Sequence, residues 1–233
     1  MRLLPYAAVA LASAGAAALG TLALDRPAGG EGVRAYLLEH PEVLQEAMER
    51  LRMKQAAAQI APLRRDLETP FARGYIGAER PDVTLVQFFD YACGYCRASL
   101  PDVERLVTQD PKVRVVFREL PILSRESEIA ARASLVAAQQ GRYGAFHTAM
   151  YAQGRPSAAG AVRAAQAAGM NPIGLEAAMK APDKASELSK NIELARALGV
   201  TGTPAWVVGN QLLSGAVGYE ALKDAVAKAR AAS

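Results

Sequence analysis

The chain has 233 residues, 51% of them hydrophobic and 21% charged, with 27 Lys and Arg against 23 Asp and Glu for a formal net charge of +4. That length gives one large domain or two small ones, the hydrophobic fraction excludes a disordered solvating chain, and the charged fraction excludes a polytopic membrane protein. The weak positive surplus, with no basic block, gives no sign of a nucleic-acid partner, and two cysteines in one tetrapeptide exclude a disulfide-stapled scaffold.

Met1-Arg2 is followed by an uncharged, alanine- and leucine-rich run from Leu3 to Leu24, ended by Asp25 and Arg26. This is the pattern of a secretory signal peptide over residues 1–24, with cleavage expected near Ala18 to Ala23. The run is also long enough to stay uncut as an inner-membrane anchor. Either outcome delivers the rest to an oxidising compartment, expected to be the periplasm. Pro27 to Gly32 reads as a linker. Residues 25–74 read as an N-terminal helical arm: Pro41 suits a first helical position, and Leu44, Met48 and Leu51 recur at helical spacing until Pro62 weakens the pattern. The stripe is too short for a coiled coil, so the arm either packs on its own domain or, as we expect, pairs with copies of itself.

Val83 to Phe89 is a compact β-rich run that leads into Cys93-Gly94-Tyr95-Cys96. Ser99 to Val107 has helical spacing through Leu100, Val103, Leu106 and Val107, and Val113 to Phe117 reads as a second strand. The cysteines therefore sit inside a βαβ unit. Residues 125–198 read almost wholly helical, with breaks at Gly141, Gly154 to Pro156, Gly169 to Pro172, and Pro182-Asp183. Leu188, Ile192, Ala195 and Leu198 form one apolar stripe, closed by Gly199. Ala205 to Val208 and Gln211 to Ser214 read as a hairpin around Gly209-Asn210, and Tyr219 to Ala231 as a last amphipathic helix.

A C-x-x-C pair serves redox, zinc and copper sites alike, but a position between strand and helix favours redox chemistry. Cys93 falls at a helix N-terminus, where unpaired N–H groups stabilise a thiolate, and Cys96 lies one turn on, within reach of a mixed disulfide on Cys93. A purely structural disulfide is disfavoured, because a loop of four residues constrains little of the unfolded chain.

The runs Thr84 to Cys96 and Gly199 to Gly209 together resemble the DsbA-like thioredoxin-fold proteins, over residues 75–231. The resemblance implies an α/β thioredoxin fold with a helical insertion at about 125–198, in a catalytic domain over 75–233. It implies catalysis by Cys93 and Cys96 with no cofactor beyond their redox-active disulfide and no bound metal. It also implies a cis-proline at Thr203-Pro204, against which substrate lies as an added strand. Gly94-Tyr95 and Thr203 resemble the disulfide-isomerase branch, and Tyr36 to Leu44 resembles the N-terminal region of ScsC, the copper-sensitivity suppressor branch. That region implies trimerisation through the arm. Where many thioredoxin-like proteins carry a buried acid six residues before the first cysteine, this chain has Gln87, which cannot ionise. Gln87, Gly94 and Tyr95 are therefore the expected redox-tuning positions, and Asp90 is expected to cap the loop. His147 is expected to pack in a helix, His40 to mark a helix boundary, and Trp206 to fill the core.

The expected function is an envelope thiol:disulfide oxidoreductase biased to isomerisation or reduction. Its partners would be cysteine-containing exported proteins and a membrane thiol reductase. A monomeric oxidase, recharged by a membrane oxidase, and a Cu(I) carrier using Cys93 and Cys96 are the alternatives.

Overall fold

The structure, a computed structural model, describes residues 30–232, and the expected signal peptide lies outside the described residues. These residues form two units, one ending at Leu51 and one running from Arg52. The first contains α1 (Gly30–Glu39) and the start of α2 (Glu42–Ile60). Residues 30–32, read from sequence as linker, are instead the first turn of α1. The opening N–H groups of a helix lack intrahelical partners in any case, and Glu31 there faces the positive end of the helix dipole. His40 stands between the two helices as expected, its backbone N–H donating to the Tyr36 carbonyl at 2.8 Å. In this unit Val33, Tyr36, Leu38, Leu44, Met48 and Leu51 are all exposed.

The second unit is built on a five-stranded sheet. Its strands are β1 (Tyr75–Gly77), β2 (Val83–Phe89), β3 (Val113–Glu119), β4 (Ala205–Val208) and β5 (Gln211–Ser214), in the order β1-β3-β2-β4-β5. β2 and β3 run parallel, with Leu85 opposite Val115 and Phe89 opposite Glu119; the other three pairings are antiparallel. β1 has no counterpart in the sequence reading, because three residues carry no usable periodicity.

Side chains alternate across a strand, so β2 feeds two cores. Leu85 and Phe89 join Val115, Phe117, Trp206, Val103 and Leu222 on one face, while Val86 and Phe88 join Val116, Val207 and Leu198 on the other. With both faces covered, the strand reads as a continuous apolar run. Ile60 and, on α3 (Arg64–Glu68), Leu67, both read from sequence as part of the arm, are fully buried in the second of these cores.

After the cysteines the single expected helix is two, α4 (Gly94–Ala98) and α5 (Leu100–Gln109), because Pro101 lacks an N–H and restarts the turn near the α5 N-terminus. The insertion carries α6 (Arg125–Gln139), α7 (Tyr143–Ala152), α8 (Ala158–Ala167), α9 (Leu175–Met179) and α10 (Pro182–Ala197); α11 (Tyr219–Ala231) closes the chain. The expected break at Pro182-Asp183 falls just ahead of that pair, between α9 and α10, and Pro182 opens α10. The α10 stripe also differs from expectation: Ile192 is exposed, and Asn191, Leu194 and Ala195 face inward with Leu188. The reason is Arg118, a fully buried residue of β3 whose guanidinium bonds Glu187 at 2.6 Å, Asn191 at 3.3 Å and the carbonyls of Asp66, Leu67 and Thr69. A buried cation needs partners on every side, and α10 turns its polar residues inward to supply them.

Candidate active site

β2 ends at Phe89, and the next four residues form a tight loop that sets up the first cysteine. The Asp90 carboxylate accepts from the Ala92 N–H at 2.7 Å, and the Asp90 carbonyl accepts from the Cys93 N–H at 3.0 Å. Cys93 leaves this loop with extended backbone and becomes the N-cap of α4, its sulfur accepting from the Cys96 N–H at 3.3 Å. A hydroxyl or carboxylate commonly does this at a helix start; here the acceptor is a sulfur. The Cys93 thiol also donates to the Thr203 carbonyl at 3.2 Å, so a residue 110 positions away touches the sulfur directly. The Thr203–Pro204 peptide is cis, and the chain continues from it into β4, which lies against β2.

The two cysteines are unequal. Cys93 is 6% exposed and Cys96 is 1% exposed, and both thiols are free. Burial pushes the Cys96 thiol far above its ordinary range, and the neighbouring Cys93 pushes it further; the Asp90 backbone acts in the opposite direction. Gly94 and Tyr95 lie at the surface between them, with Tyr95 71% exposed and open space where a Cβ on Gly94 would stand. Gln87, by contrast, is buried in β2, and its Oε1 has no hydrogen-bond partner. The Thr203 hydroxyl is a second buried polar atom without a partner.

Under the loop lies a polar–aromatic layer that the sequence reading only partly anticipated. Tyr91 OH and His147 Nδ1 are 3.0 Å apart, and Tyr151 OH donates to the Asp90 carbonyl at 3.1 Å. His147 is packed in α7 as expected, and burial pushes its pKa down to about 3, so the ring is neutral. Glu119, at the end of β3, is equally buried; Ser134 donates to its carboxyl, as does Tyr143 at 3.2 Å, while its Oε2 is unpartnered. Burial raises the Glu119 pKa well above the ordinary carboxylate range, so it holds its proton. Trp206 is fully buried and donates to the Gly215 carbonyl at 3.0 Å, so it belongs to the core.

Two elements of the site escaped the sequence reading. Asp90 was expected only as a cap, but its second oxygen reaches 32 and 33 residues onward to the Ile122 and Leu123 N–H groups. Glu119 was not singled out, although an acid two positions after Phe117 falls on the inward face of the strand, and that phase was visible in the pattern.

The chain matches the model of the DSBA-like thioredoxin domain over residues 84–227 and that of the copper resistance protein ScsC N-terminal domain over residues 30–58. Among solved structures, it is 42% identical to a thioredoxin-like oxidoreductase from Silicibacter pomeroyi DSS-3, at a TM-score of 0.68 over 72% of this chain and 96% of that one. It is 32% identical to Proteus mirabilis ScsC in a transitional conformation, at a TM-score of 0.70 over 86% of this chain and 94% of that one. It is also 32% identical to a periplasmic thioredoxin-like protein from Salmonella enterica serovar Typhimurium, at a TM-score of 0.65 over 71% of this chain and 94% of that one. Among curated proteins it is 28% identical over 195 residues to a Na(+)/H(+) antiporter NhaA 3 from Salinispora tropica, of which it spans only 30%.

Proposed function

Because the chain belongs to the family of DSBA-like thioredoxin domains, we propose that it is a thiol:disulfide oxidoreductase acting on exported proteins in the bacterial cell envelope, biased to isomerisation and reduction. The observation that carries this reading is the placement of the Cys93 sulfur, between the Cys96 N–H and the Thr203 carbonyl, with Cys96 buried behind it.

Cys93 as thiolate attacks one sulfur of a substrate disulfide. A mixed disulfide forms, and the other substrate sulfur leaves as a thiolate that takes up a proton. Two exits follow. If another substrate thiolate attacks, a new substrate disulfide forms, Cys93 is released, and no net electrons move. If Cys96 attacks the Cys93 sulfur, the Cys93–Cys96 disulfide forms and the substrate leaves reduced by two electrons. Cys96 must first lose its proton, and its raised pKa opposes this. Gln87, a neutral amide, offers no carboxylate to take it. A slow second exit lengthens the life of the mixed disulfide, which favours reshuffling. Substrate is expected to lie along the backbone edge at Thr203 and Pro204, and Gly94-Tyr95, with the threonine before the proline, agrees with the isomerase branch. Such an enzyme works only while reduced, which calls for a membrane thiol reductase as electron donor.

The envelope location is supported by the expected signal at residues 1–24 and by the Salmonella relative, which is described as periplasmic. Among the described residues no helix is long and apolar enough to cross a membrane.

Recovery of activity from scrambled ribonuclease tests the reaction. The reduced chain is expected to restore active ribonuclease catalytically. Rapid oxidation of dithiols with no recovery would instead identify a DsbA-like oxidase. The arm is read as a trimerisation element, on its match to the ScsC N-terminal model and on the exposed Leu44, Met48 and Leu51. Light scattering should give a trimer for the wild type and a monomer after Leu44→Lys with Met48→Lys; a wild-type monomer would end that reading.

A further inference from the structure

The Cys93 loop and α4 are tied at two points to the end of α7 and the turn that follows it. The Tyr151 hydroxyl donates to the Asp90 carbonyl at 3.1 Å, and the guanidinium of Arg97, the residue after Cys96, donates to the Gly154 carbonyl at 2.5 Å. The turn is itself held in one shape. Gly154 takes a φ of 83°, a left-handed conformation that residues with a Cβ disfavour, and its N–H donates to the Tyr151 carbonyl at 3.2 Å. Gln153 Oε1 accepts from Arg163 Nε at 2.7 Å, Pro156 is buried, and Ser157 caps α8. Arg155, between Gly154 and Pro156, therefore has a fixed backbone under an exposed side chain.

Two arginines distant in sequence are brought in this way to the surroundings of one loop. Arg97 gives an N–H to a neutral carbonyl, which leaves its charge uncompensated. Arg155 lines a cleft of about 410 Å³ that reaches Ala92, the residue before Cys93. One carboxylate, Glu126, lines the same cleft. Among the described residues none of these three charges is in an ion pair. Asp90, the anion of the Cys93 loop, is 1% exposed and spends its oxygens on three backbone N–H groups. Across that loop, α4 and the turn at Gly154, the charged side chains that reach solvent are thus Arg97 and Arg155.

We propose that Arg97 and Arg155 are specificity-determining residues that select disulfides carrying carboxylates within a few residues of the sulfur. This deepens the oxidoreductase reading above and rests on it. A guanidinium presents a planar fork of donors that matches a carboxylate. Arg155 keeps its fork free, and the bond from Arg97 to Gly154 fixes where the second fork stands. The carboxylates come from acidic residues beside a cysteine in a polypeptide, or from a small tripeptide disulfide such as oxidised glutathione; the arginines meet the same group in both. Ion pairs at a surface contribute modestly, so the selection is expressed as a ratio of rates rather than as exclusion.

The test mixes the full chain, reduced, with two short peptides at low salt. Each peptide is closed by one disulfide, with its cysteines flanked by glutamates in one and by lysines in the other. Each rate constant is divided by that of dithiothreitol on the same peptide, which removes the peptides' own difference in reactivity. The wild type is expected to favour the glutamate peptide by about tenfold, falling to near parity at about 1 M salt. Arg97→Gln and Arg155→Gln should each lower the preference about threefold, and Arg97→Lys should keep most of it because the charge remains. Glu126→Gln, which removes the opposing charge on the cleft, should raise it. Arg155 has no hydrogen bond or ion pair to lose, so Arg155→Gln decides the matter even if Arg97→Gln disturbs the turn. A second arm compares oxidised glutathione with cystamine, a dication. An arginine-dependent preference in either arm supports the proposal, and the arm that shows it identifies the source of the carboxylates. A wild type without charge preference, or a preference that both glutamine variants leave unmoved in both arms, overturns it. A wild type that reacts with none of these disulfides would sink the oxidoreductase reading itself.

Discussion

Replacing Cys96 with alanine is expected to close the exit by internal attack and leave only reshuffling through a second substrate thiol, so that covalent adducts between Cys93 and substrate proteins accumulate on non-reducing gels while isomerisation persists. Replacing Cys93 removes the adducts and reduces exchange to the uncatalysed rate. The asymmetry is expected from the proposal that Cys93 is the sulfur that meets substrate: it is capped by the Cys96 N–H and beside the Thr203 carbonyl, whereas Cys96 is the more deeply buried. The same burial carries a pH signature. Because the Cys96 pKa is pushed upward, only a small fraction is thiolate near neutral pH, and that fraction grows about tenfold per pH unit below the pKa. Release of substrate from the wild-type mixed disulfide by Cys96 should therefore accelerate as pH rises, without a plateau through the neutral range. Stopped-flow measurement of that single step checks it. A plateau near neutrality would mean that something other than the raised Cys96 pKa limits release.

Lowering the pH from 6.5 toward 3 is expected to destabilise the fold by on the order of 5 kcal/mol through His147 alone, from about 1.4 kcal/mol per pK unit over its shift. The folded ring stays neutral to a pKa of about 3, whereas the unfolded ring binds a proton from about 6.5 downward. In that window the unfolded state carries more protons, so stability rises with pH and falls with acid. Glu119 has the opposite sign. Its raised pKa means that the folded state holds a proton the unfolded carboxyl has released, so its contribution is lost as pH climbs above the ordinary carboxylate range. Urea unfolding of wild type and His147→Gln across pH 3 to 7 separates the two: the variant should show a shallower acid slope. Equal slopes in both proteins would place the acid sensitivity elsewhere.

Much of the core was legible because its signals are local. The parallel pair β2 and β3 shows as two apolar runs separated by a helical stretch, and the β4–β5 hairpin shows through Gly209-Asn210. Cys93 and Cys96 were named from motif and spacing and Thr203 and Pro204 from the family resemblance, and the fold brings Cys93 and Thr203 into direct contact. The misses involve partners distant in sequence. Periodicity placed Ile192 inside and passed over Asn191, because nothing near α10 reveals that a buried Arg118 on β3 needs an amide there. Pro101 dividing the helix was locally visible, yet an amphipathic stripe continues across the break and masks it.

The amino-acid order by itself determined the chemistry available: one C-x-x-C, a neutral Gln87 where an acid often stands, a threonine before the proline, and an apolar stripe on the arm. Those depend on residue identity and on spacing within a turn or a strand, which short-range geometry settles. Only the tertiary structure decided how the chemistry is apportioned. It buried both cysteines, Cys96 the more deeply, set the Thr203 carbonyl on the Cys93 sulfur, and made Asp90 the tie between the Cys93 loop and Ile122-Leu123. Desolvation and hydrogen bonding across 30 to 110 residues arise only once the sheet has closed, and no local pattern encodes which groups will meet there.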